Sequence, residues 1–532
     1  MAIATSVVDK AETSAEVEAA RSHAGTSTVS AAEPVGTPVA PVAPAAETDP
    51  ARRAANYRTN LDAMVAILRH GFKRPDQERV GLELERVLRD EQGERVMYSG
   101  EAGVSAVLHK FMELHPDYEP VRIDGHLMGF SYTYAAPATA DAPAPAETPA
   151  PAETPATAAA PAPAADAPES FTVAVSLEPG AQVEVSAGPA DSLANMLAAI
   201  DAFDAEMERV TALLGRPAHL VGRGYDTRAA RPEDVELIPK DRYRLMDAYL
   251  PRQGQCARDM MRCSTSTQVS IDYTDESEAM VLEKIATVLG PLFCFAFDNA
   301  PVWHAKPAPR MVRGHIWSVL DPSRCGVIPG SLDADFSFER YCAWLGTVKP
   351  ILMTDHEHRT YSVGERTEAD VMGDRVLTAD ELMHLGSMVW PTLRLKGYVE
   401  LREMDALPPA LAVACASFMS SLFYDPSFAA ELADGAGRAG ASDGRADVPT
   451  LDVFAQTEAD VAAARRELEE KGWDAVVYGV SAAALVDRLA ELAAAHARTD
   501  FDRRSIALLS GLWTARCLPR DVPYEQLAAM RA

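Results

Sequence analysis

Four short stretches of the sequence alternate apolar residues with carboxylate or carboxamide residues. They are GLELERV (81–87), SLEPGAQVEVS (176–186), TQVSIDY (267–273) and GYVELRE (397–403). Because neighbouring side chains of a β-strand point to opposite faces, each stretch predicts a strand with one apolar and one polar face. The apolar faces need a covering core, so the pattern indicates a sheet backed by helices. The simplest arrangement is an antiparallel sheet whose other face lies in water.

The polar positions of these stretches differ from those of an ordinary exposed strand, which carries a mixture of Thr, Lys and Ser. They include Glu83, Glu85, Glu184, Gln268 and Glu400. Carboxylates that crowd on one face repel each other unless cations lie between them. Mg²⁺ prefers such hard oxygen ligands, and it commonly accompanies phosphate substrates. The pattern therefore favours a magnesium site that serves a phosphate substrate.

Two familiar phosphate-binding motifs are missing from the sequence. It has no G-x-x-x-x-G-K-[ST] stretch, and GRGYD (222–226) does not match a dinucleotide fingerprint. A nucleotide would therefore bind on neither a P-loop nor a Rossmann unit.

Composition limits the partners and the compartment. The formal net charge of −28 argues against a general affinity for nucleic acid or anionic membranes. We expect no membrane span, because no apolar stretch approaches about 20 residues, and no signal peptide, because the N-terminus lacks a basic segment followed by an apolar one. Seven cysteines without a C-x-x-C pair predict free thiols in a reducing compartment. These features together predict a cytoplasmic protein.

Low-complexity segments suggest the domain organisation. Residues 1–50 are rich in Ala, Val, Thr, Ser and Pro, and we expect a disordered tail. The Pro/Ala-rich run within 135–169 lies between two predicted strands, HLMGFSYTY and FTVAVSLEPG. Since the entropy of loop closure grows only logarithmically with length, we expect a disordered loop insertion at 135–169 inside a single domain that spans 51–532. A Gly-rich segment at 434–449 predicts a mobile loop.

Helical spacing of apolar residues predicts several helices. One begins near Thr59 or Asn60, and its apolar stripe runs from Leu61 to Phe72. A second begins at Asp191 and ends at Gly215. Two more are expected around 457–471 and 480–497.

Five stretches, in order along about residues 55–425, resemble motifs of the glutamate–cysteine ligase family, in the plant-type branch that also occurs in many bacteria. Some positions depart from the family pattern; Ala181, for example, replaces a Gly and Ala300 replaces a Ser. The stretches and their family motifs are GFKRPDQERVGLELERV for G-x-E-x-E, SLEPGAQVEVS for E-P-G-G-Q-x-E-x-S, MDAYLPRQGQCARDMMRCSTSTQVSIDY for M-x-x-Y-M-P through M-M-x-x-T-x-x-x-Q-V-x-x-D, FDNAPVWHAKPAPRMVRGHIWSVLDPSRCG for N-S-P through R-S-x-I-W-x-x-x-D-x-x-R-x-G, and LRLKGYVELREMD for R-L-K-x-Y-L-E-x-R-x-x-D.

The resemblance implies an α+β fold with a central antiparallel sheet, a polar and funnel-like active-site face and flanking helices, as in glutamine synthetase-like carboxylate–amine ligases. It implies an ATP-dependent ligase that forms γ-glutamylcysteine from L-glutamate and L-cysteine through a γ-glutamyl phosphate. The implied cofactor is Mg²⁺, with Mn²⁺ as an alternative, and ATP is a co-substrate. The product would supply a glutathione or ergothioneine-type pathway, and the chain would act as a monomer or homodimer.

The resemblance also implies roles for individual residues. The metal ligands would be Glu83, Glu85, Glu184 and Glu400, with Gln268 as a weaker fifth ligand or a substrate contact.

A second group of residues would bind the anionic parts of the substrates. Arg313 would orient the α-carboxylate of glutamate, with Trp317 beside it. Arg402 would contact the nucleotide phosphates or the transition state, and Lys396 would join the same charge cluster.

Simpler roles stay open for several residues near these motifs. Trp317 could be a core side chain, and Lys396 a solvated residue at a strand end. Glu178 could line the site or cap the turn that follows it.

Three further features favour a structural role. Cys263 is expected to be a buried thiol, Asp321 and Arg324 a structural turn pair, and His356 and His358 exposed residues at a hairpin tip. A ligase that uses another acceptor amine and a non-catalytic homologue remain alternative functions.

Overall fold

The computed structural model describes residues 47–137, 169–354, 360–433 and 451–532. Its helices, apart from short 3₁₀ turns, are α1 (Pro50–Arg69), α2 (Val104–Leu114), α3 (Leu193–Leu213), α4 (Asp241–Tyr249), α5 (Ala257–Arg262), α6 (Glu276–Ala296), α7 (Val312–Leu320), α8 (Phe338–Thr347), α9 (Glu368–Asp374), α10 (Ala379–Gly386), α11 (Pro409–Phe423), α12 (Pro426–Ala433), α13 (Glu458–Lys471), α14 (Ala482–Ala495), α15 (Asp500–Thr514) and α16 (Tyr524–Ala528).

The strands are β1 (Val80–Asp90), β2 (Glu119–Ile123), β3 (His126–Ala135), β4 (Ser170–Leu177), β5 (Val183–Ala190), β6 (Ala218–Val221), β7 (Ser266–Ile271), β8 (Val302–Trp303), β9 (Lys306–Pro307), β10 (Cys325–Gly326), β11 (Met353–Thr354), β12 (Thr360–Tyr361), β13 (Trp390–Pro391), β14 (Leu393–Leu395), β15 (Val399–Asp405), β16 (Val476–Val477) and β17 (Val480–Ser481).

One large sheet organises the described chain. Its strand order is β14-β15-β7-β1-β5-β4-β3-β2, with β6 paired to the far end of β1, and its pairings are antiparallel. All four strands predicted from the alternating stretches lie next to one another as β15, β7, β1 and β5. The expectation of an α+β chain with a central antiparallel sheet is confirmed.

The apolar face of the sheet packs against helices. Leu82 and Leu84 of β1 are buried, as are Val183 and Val185 of β5. Helix α11 packs against β1 and β7, and α6 packs against β14 and β15. Helices α3, α14 and α15 pack against α11 in turn, so the polar face of the sheet is the opposite one.

Helix α6 is long and apolar enough to cross a membrane by length and composition, which corrects the expectation that no stretch of that length occurs. Of its most apolar window, 83% is buried inside the protein. The helix therefore acts as a core element of this fold.

The predicted helices occur, but α1 begins earlier than expected. Its N-cap is Asp49, whose side chain accepts a hydrogen bond from the Ala51 amide, and Pro50 occupies the first helical position. Asn60 instead lies inside the helix and donates to the Met372 and Arg375 carbonyl oxygens. The boundary predicted at residue 50 is thus the start of α1, and the rest of the tail lies outside the described residues.

The flanks of the Pro/Ala-rich run pair with each other. Ala135 at the end of β3 lies opposite Ser170 at the start of β4, and the Ala136 amide donates to the Glu169 carbonyl oxygen at 2.9 Å. Residues 138–168 and the Gly-rich loop at 434–449 lie outside the described residues. The run therefore joins two neighbouring strands of one sheet.

A buried carboxyl group in α6 makes the stability of the fold depend on pH. Glu283 is fully buried, and burial raises its pKa from 4.5 to about 7. Between these values the folded chain binds more protons than the unfolded chain, so its free energy of unfolding falls as pH rises. We expect Glu283→Gln to raise the free energy of unfolding at pH 8 by up to about 3 kcal/mol more than it does at pH 5. Chemical denaturation measures both values. Exposed Glu91→Gln is the control, and equal effects at both pH values would contradict the prediction.

Candidate active site

The pairing of β1 with its two neighbours assembles a row of acidic side chains. Glu83 lies opposite Gln268 of β7, and Glu85 lies opposite Glu184 of β5. On β15, Glu400 lies opposite Ser270 of β7. Since paired residues of adjacent strands share a face, the predicted acidic residues lie on one face of the sheet.

Three carboxylates on this face are crowded, and their charge is poorly compensated. Burial raises the pKa of Glu83 to about 7, and repulsion from Glu400 and Glu184 adds to the effect. Burial, followed by the charges of Glu178 and Glu85, raises the pKa of Glu184 to about 8. Glu85 accepts hydrogen bonds from the Ser266 amide and the Gln268 side chain, yet burial still raises its pKa. A cation would relieve this repulsion.

Glu400 is in the opposite electrostatic situation. Its carboxylate is fully buried and binds Arg394 at 2.8 Å, Lys396 at 2.6 Å and Arg402 at 2.7 Å. Although burial alone would raise its pKa, these cations hold it well below its ordinary value. Of the four predicted metal ligands, Glu400 is therefore the one whose charge is already neutralised.

A continuous chain of hydrogen bonds joins the two kinds of carboxylate. Arg402 donates from one nitrogen to Glu400 and to the Gln268 oxygen at 2.5 Å. The Gln268 nitrogen donates to Glu85 at 3.2 Å. Gln268 thus links the neutralised and the uncompensated parts of the row.

Arg313 and Trp317 lie beside this chain on helix α7. Arg313 is buried and donates to the Arg402 carbonyl oxygen at 3.3 Å. The Trp317 ring lies 5.5 Å from the Arg313 guanidinium and 5.9 Å from the Arg402 guanidinium, so it packs against both cations. The structure therefore brings together all residues predicted for the site.

A pocket of about 410 Å³ opens next to these two arginines. Its walls include Arg313, Trp317, Arg402 and Trp390 together with Arg465 from helix α13. The lining holds four guanidinium groups, the fourth from Arg466, and also the carboxylates of Glu403, Glu458 and Glu469. The site thus has a carboxylate end, the acidic row, and an end where guanidinium groups outnumber carboxylates, which we call the guanidinium end. Such an arrangement suits a cation at one end and an anionic group at the other.

The turn between β4 and β5 places Glu178 at the carboxylate end. Burial, followed by the charge of Glu85, raises its pKa to about 7, and the Tyr243 hydroxyl lies 3.5 Å from it. Ala181 adopts φ +63° in this turn, a left-handed conformation that glycine adopts without strain. Glu178 therefore lines the site, and Ala181 in this left-handed conformation adds local strain to the turn.

Among the described residues, no three His, Cys, Asp or Glu side chains are arranged to hold a metal ion. The magnesium site and the roles of the individual ligands therefore stay predictions. His356 and His358 lie outside the described residues.

The structural roles predicted for neighbouring residues are confirmed. Cys263 is fully buried, and burial raises the pKa of its thiol to about 12. Arg324 donates to Asp321 at 2.7 Å, and both are buried. All seven cysteines are free thiols.

Several residues of the site were not predicted from the sequence. Arg394 pairs with Glu400 across the β14–β15 hairpin, and its place in the R-L-K-x-Y-L-E motif was the available signal. Lys240 and Arg242 place positive charge near Glu178. Their charges lower its pKa, although the larger effect of burial keeps it raised. Arg465 comes from a helix far along the chain, and no local pattern indicated it.

Comparisons with known proteins identify the family of the chain. The sequence model of glutamate–cysteine ligase family 2 (GCS2) matches residues 79–511. Glutamate–cysteine ligase B, chloroplastic, of Oryza sativa subsp. japonica is 30% identical over 270 residues, which are 49% of this chain and 53% of the relative. The chloroplastic glutamate–cysteine ligase of Arabidopsis thaliana is 30% identical over 261 residues, 47% of this chain and 49% of the relative. That of Nicotiana tabacum is 28% identical over 260 residues, with 47% and 49% covered.

The chain thus spans about half the length of the curated relatives it matches. The names of these relatives also contradict the cytoplasmic localisation predicted from the sequence. All three are named as chloroplastic proteins. The cytoplasmic prediction is therefore wrong.

The crowding of the acidic row predicts a stabilising substitution. In metal-free buffer at pH 9, we expect Glu184→Gln to raise the free energy of unfolding by at least about 1 kcal/mol, because a charge opposed by Glu85 and Glu178 is removed. Since the folded-state pKa of Glu184 is about 8 and its ordinary value is 4.5, the free energy of unfolding falls as pH rises between these two values. At pH 6, Glu184→Gln should raise the free energy of unfolding by less than it does at pH 9. Denaturation in the presence of EDTA measures both values.

Exposed Glu208→Gln on helix α3 is the matched control and should change stability little at either pH. A Glu184→Gln variant that is less stable than the wild-type chain at pH 9 would mean that this carboxylate is compensated in the fold.

Proposed function

The chain belongs to glutamate–cysteine ligase family 2, and on that basis we propose that it catalyses ATP-dependent formation of γ-glutamylcysteine from L-glutamate and L-cysteine. The observation that carries the proposal is the single polar face on which uncompensated carboxylates stand next to a guanidinium-lined pocket. Formation of an acyl phosphate needs both parts, since a nucleotide and a carboxylate substrate both bring negative charge.

The carboxylate end fits a hard divalent cation. Glu83, Glu85 and Glu184 would hold Mg²⁺, or Mn²⁺ in its place, once their side chains converge on it, because burial and repulsion between carboxylates raise the pKa values of Glu83 and Glu184 and a bound cation would relieve that repulsion. Glu400 would join this set by sharing its oxygens with the cations that now bind it. The bound ion would neutralise phosphate charge during transfer.

The guanidinium end fits the carboxylate of glutamate and the transferred phosphoryl group. Arg313 would bind the α-carboxylate, since its guanidinium lines the pocket and is held by the Arg402 carbonyl oxygen. Arg402 would bind phosphoryl oxygens while its Glu400 and Gln268 contacts fix its orientation. Lys396 acts through Glu400 and is a positioning residue.

The reaction then proceeds in two bond-forming steps. A γ-carboxylate oxygen of glutamate attacks the terminal phosphorus of ATP, and ADP leaves. The amine nitrogen of cysteine next attacks the γ-glutamyl carbon, and the C–O bond to phosphate breaks. Inorganic phosphate leaves with the proton that the amine nitrogen gives up as the amide forms. The residues of the chain contribute orientation and charge neutralisation rather than a covalent intermediate.

We also propose the finer architectural assignments. The sheet with its polar face corresponds to the glutamine synthetase-like fold of carboxylate–amine ligases, and residues 51–532 form one catalytic domain. The pairing of Ala135 with Ser170 supports the second assignment, because the insertion leaves and re-enters the same sheet. The dipeptide product would supply low-molecular-weight thiol synthesis.

ADP release measured with a panel of acceptor amines tests the function. We expect ADP release that requires Mg²⁺ and L-glutamate and that is fastest with L-cysteine, because the site activates the γ-carboxylate before the amine attacks. The product should be γ-glutamylcysteine, which mass spectrometry identifies.

The same panel separates the alternative functions. Faster turnover with another amine than with cysteine would replace the named product while the ligase chemistry stands. Absence of glutamate-dependent ADP release in a folded chain would instead support a non-catalytic homologue.

A further inference from the structure

Two buried hydrogen-bond donors in the guanidinium pocket have no partner among the described residues. They are the indole nitrogen of Trp317 and Nη1 of Arg465, and both side chains line the pocket. A buried donor without an acceptor costs about 1–3 kcal/mol. Two such donors in one pocket indicate that an acceptor group belongs there.

The position of Arg465 depends on a missing side chain in helix α7. A Cβ atom at Gly314 would lie 2.2 Å from Nη1 of Arg465 and 2.8 Å from the sulfur of Cys294. No side chain fits there unless the guanidinium moves. The family pattern R-S-x-I-W carries serine at this position, whereas this chain has Gly314 directly after Arg313. The absence of a Cβ therefore lets Arg465 approach the helix that carries Arg313.

The charge of Arg465 is retained in the pocket. Burial alone would lower its pKa, but the Glu403 carboxylate and the Cys294 thiol raise it above its ordinary value. Arg465 donates from Nη2 to Glu403 at 3.3 Å, so one side of the guanidinium is held in place. The other side, which carries Nη1, occupies the space beside Gly314 and near the sulfur of Cys294, where it has no acceptor among the described residues.

We propose that Arg465 is a binding residue of this pocket, and that with the indole N–H of Trp317 it receives a carboxylate or phosphate group of a substrate. The inference deepens the proposed function and rests on it, since Arg313 and Arg402 of the same pocket are the anion-binding residues named there. It adds helix α13, from the C-terminal part of the chain, to the elements that build the site.

The chemistry of the pocket supports an anionic ligand over an apolar one. Arg313, Arg402, Arg465 and Arg466 outnumber the lining carboxylates Glu403, Glu458 and Glu469, and an apolar occupant would leave the two unpartnered donors unsatisfied. Carboxylate and phosphate oxygens both accept from guanidinium and indole N–H groups. The two sources of such an anion are the amino-acid substrate and the nucleotide.

Equilibrium binding to the full chain distinguishes these sources. Calorimetric titrations use L-glutamate, ATP with Mg²⁺ and inorganic phosphate as separate probes, and they do not require turnover. We expect Arg465→Gln to raise the Kd of L-glutamate or of the phosphate probes about tenfold to hundredfold, because a charged hydrogen bond is lost. Trp317→Phe should raise the same Kd about threefold to tenfold, since it removes only a neutral donor.

A second variant moves the guanidinium without removing it. Gly314→Ala places a Cβ where Nη1 of Arg465 lies and should weaken the same probe, while alanine itself favours the helix. The double variant Gly314→Ala/Arg465→Gln should bind no more weakly than Arg465→Gln, because both changes remove one interaction. The matched control is Arg488→Gln on helix α14, which breaks an ion pair with Glu431 away from the pocket and should leave binding unchanged.

The outcomes separate this inference from the proposed function. The inference would be overturned if Arg465→Gln and Gly314→Ala bound all three probes with Kd values within twofold of the wild-type values. If Arg465→Gln does not fold, unchanged binding by Gly314→Ala and Trp317→Phe would overturn it instead. The inference is also overturned if the wild-type chain binds none of the probes. If instead Arg465→Gln and Gly314→Ala bind a probe more weakly but the wild-type chain shows no cysteine-dependent ADP release, only the proposed function is overturned.

Discussion

The register of β1 against β5 and β7 determines the positions of Glu83, Glu85 and Glu184 in the site. It sets Glu83 opposite Gln268 and Glu85 opposite Glu184, with Leu82 and Leu84 on the buried face. A slip by one residue would turn the carboxylates into the core and the leucines outward. The hydrophobic core beneath the sheet therefore also aligns the site, because it stabilises only the register in which the carboxylates share one open face.

Some carboxylates on that face are paired with cations, whereas others are not. Glu400 is neutralised by Arg394, Lys396 and Arg402, while Glu83 and Glu184 keep raised pKa values. Full pairing would leave no charge for a ligand to interact with. The uncompensated end can receive a cation and the guanidinium end an anion, and Arg402 with Gln268 connects them. We consider this separation the feature that suits the site to phosphoryl transfer.

Local sequence predicted the strands, their polar face and the family, because alternation and motif order depend on neighbouring residues only. Contacts between distant segments could not be predicted in this way. The capture of Glu400 by three cations depends on a hairpin and a bulged strand. Arg465 reaches the site because its side chain extends from α13, which packs on α6, to Gly314 of α7, and no periodicity reveals this contact. The start of α1 was missed because Asp49 and Pro50 precede the apolar stripe that signalled the helix.

Titration of the nucleotide-free chain with Mn²⁺, followed by electron paramagnetic resonance, tests the central claim most directly. If uncompensated carboxylates form the cation end, the wild-type chain binds Mn²⁺ more tightly as pH rises through about 7–8, where Glu83 and Glu184 lose their protons. Glu83→Gln should then bind Mn²⁺ at least about tenfold more weakly, and exposed Glu208→Gln should bind as the wild type does. Equal Mn²⁺ affinity in the wild-type chain and in Glu83→Gln would contradict the account.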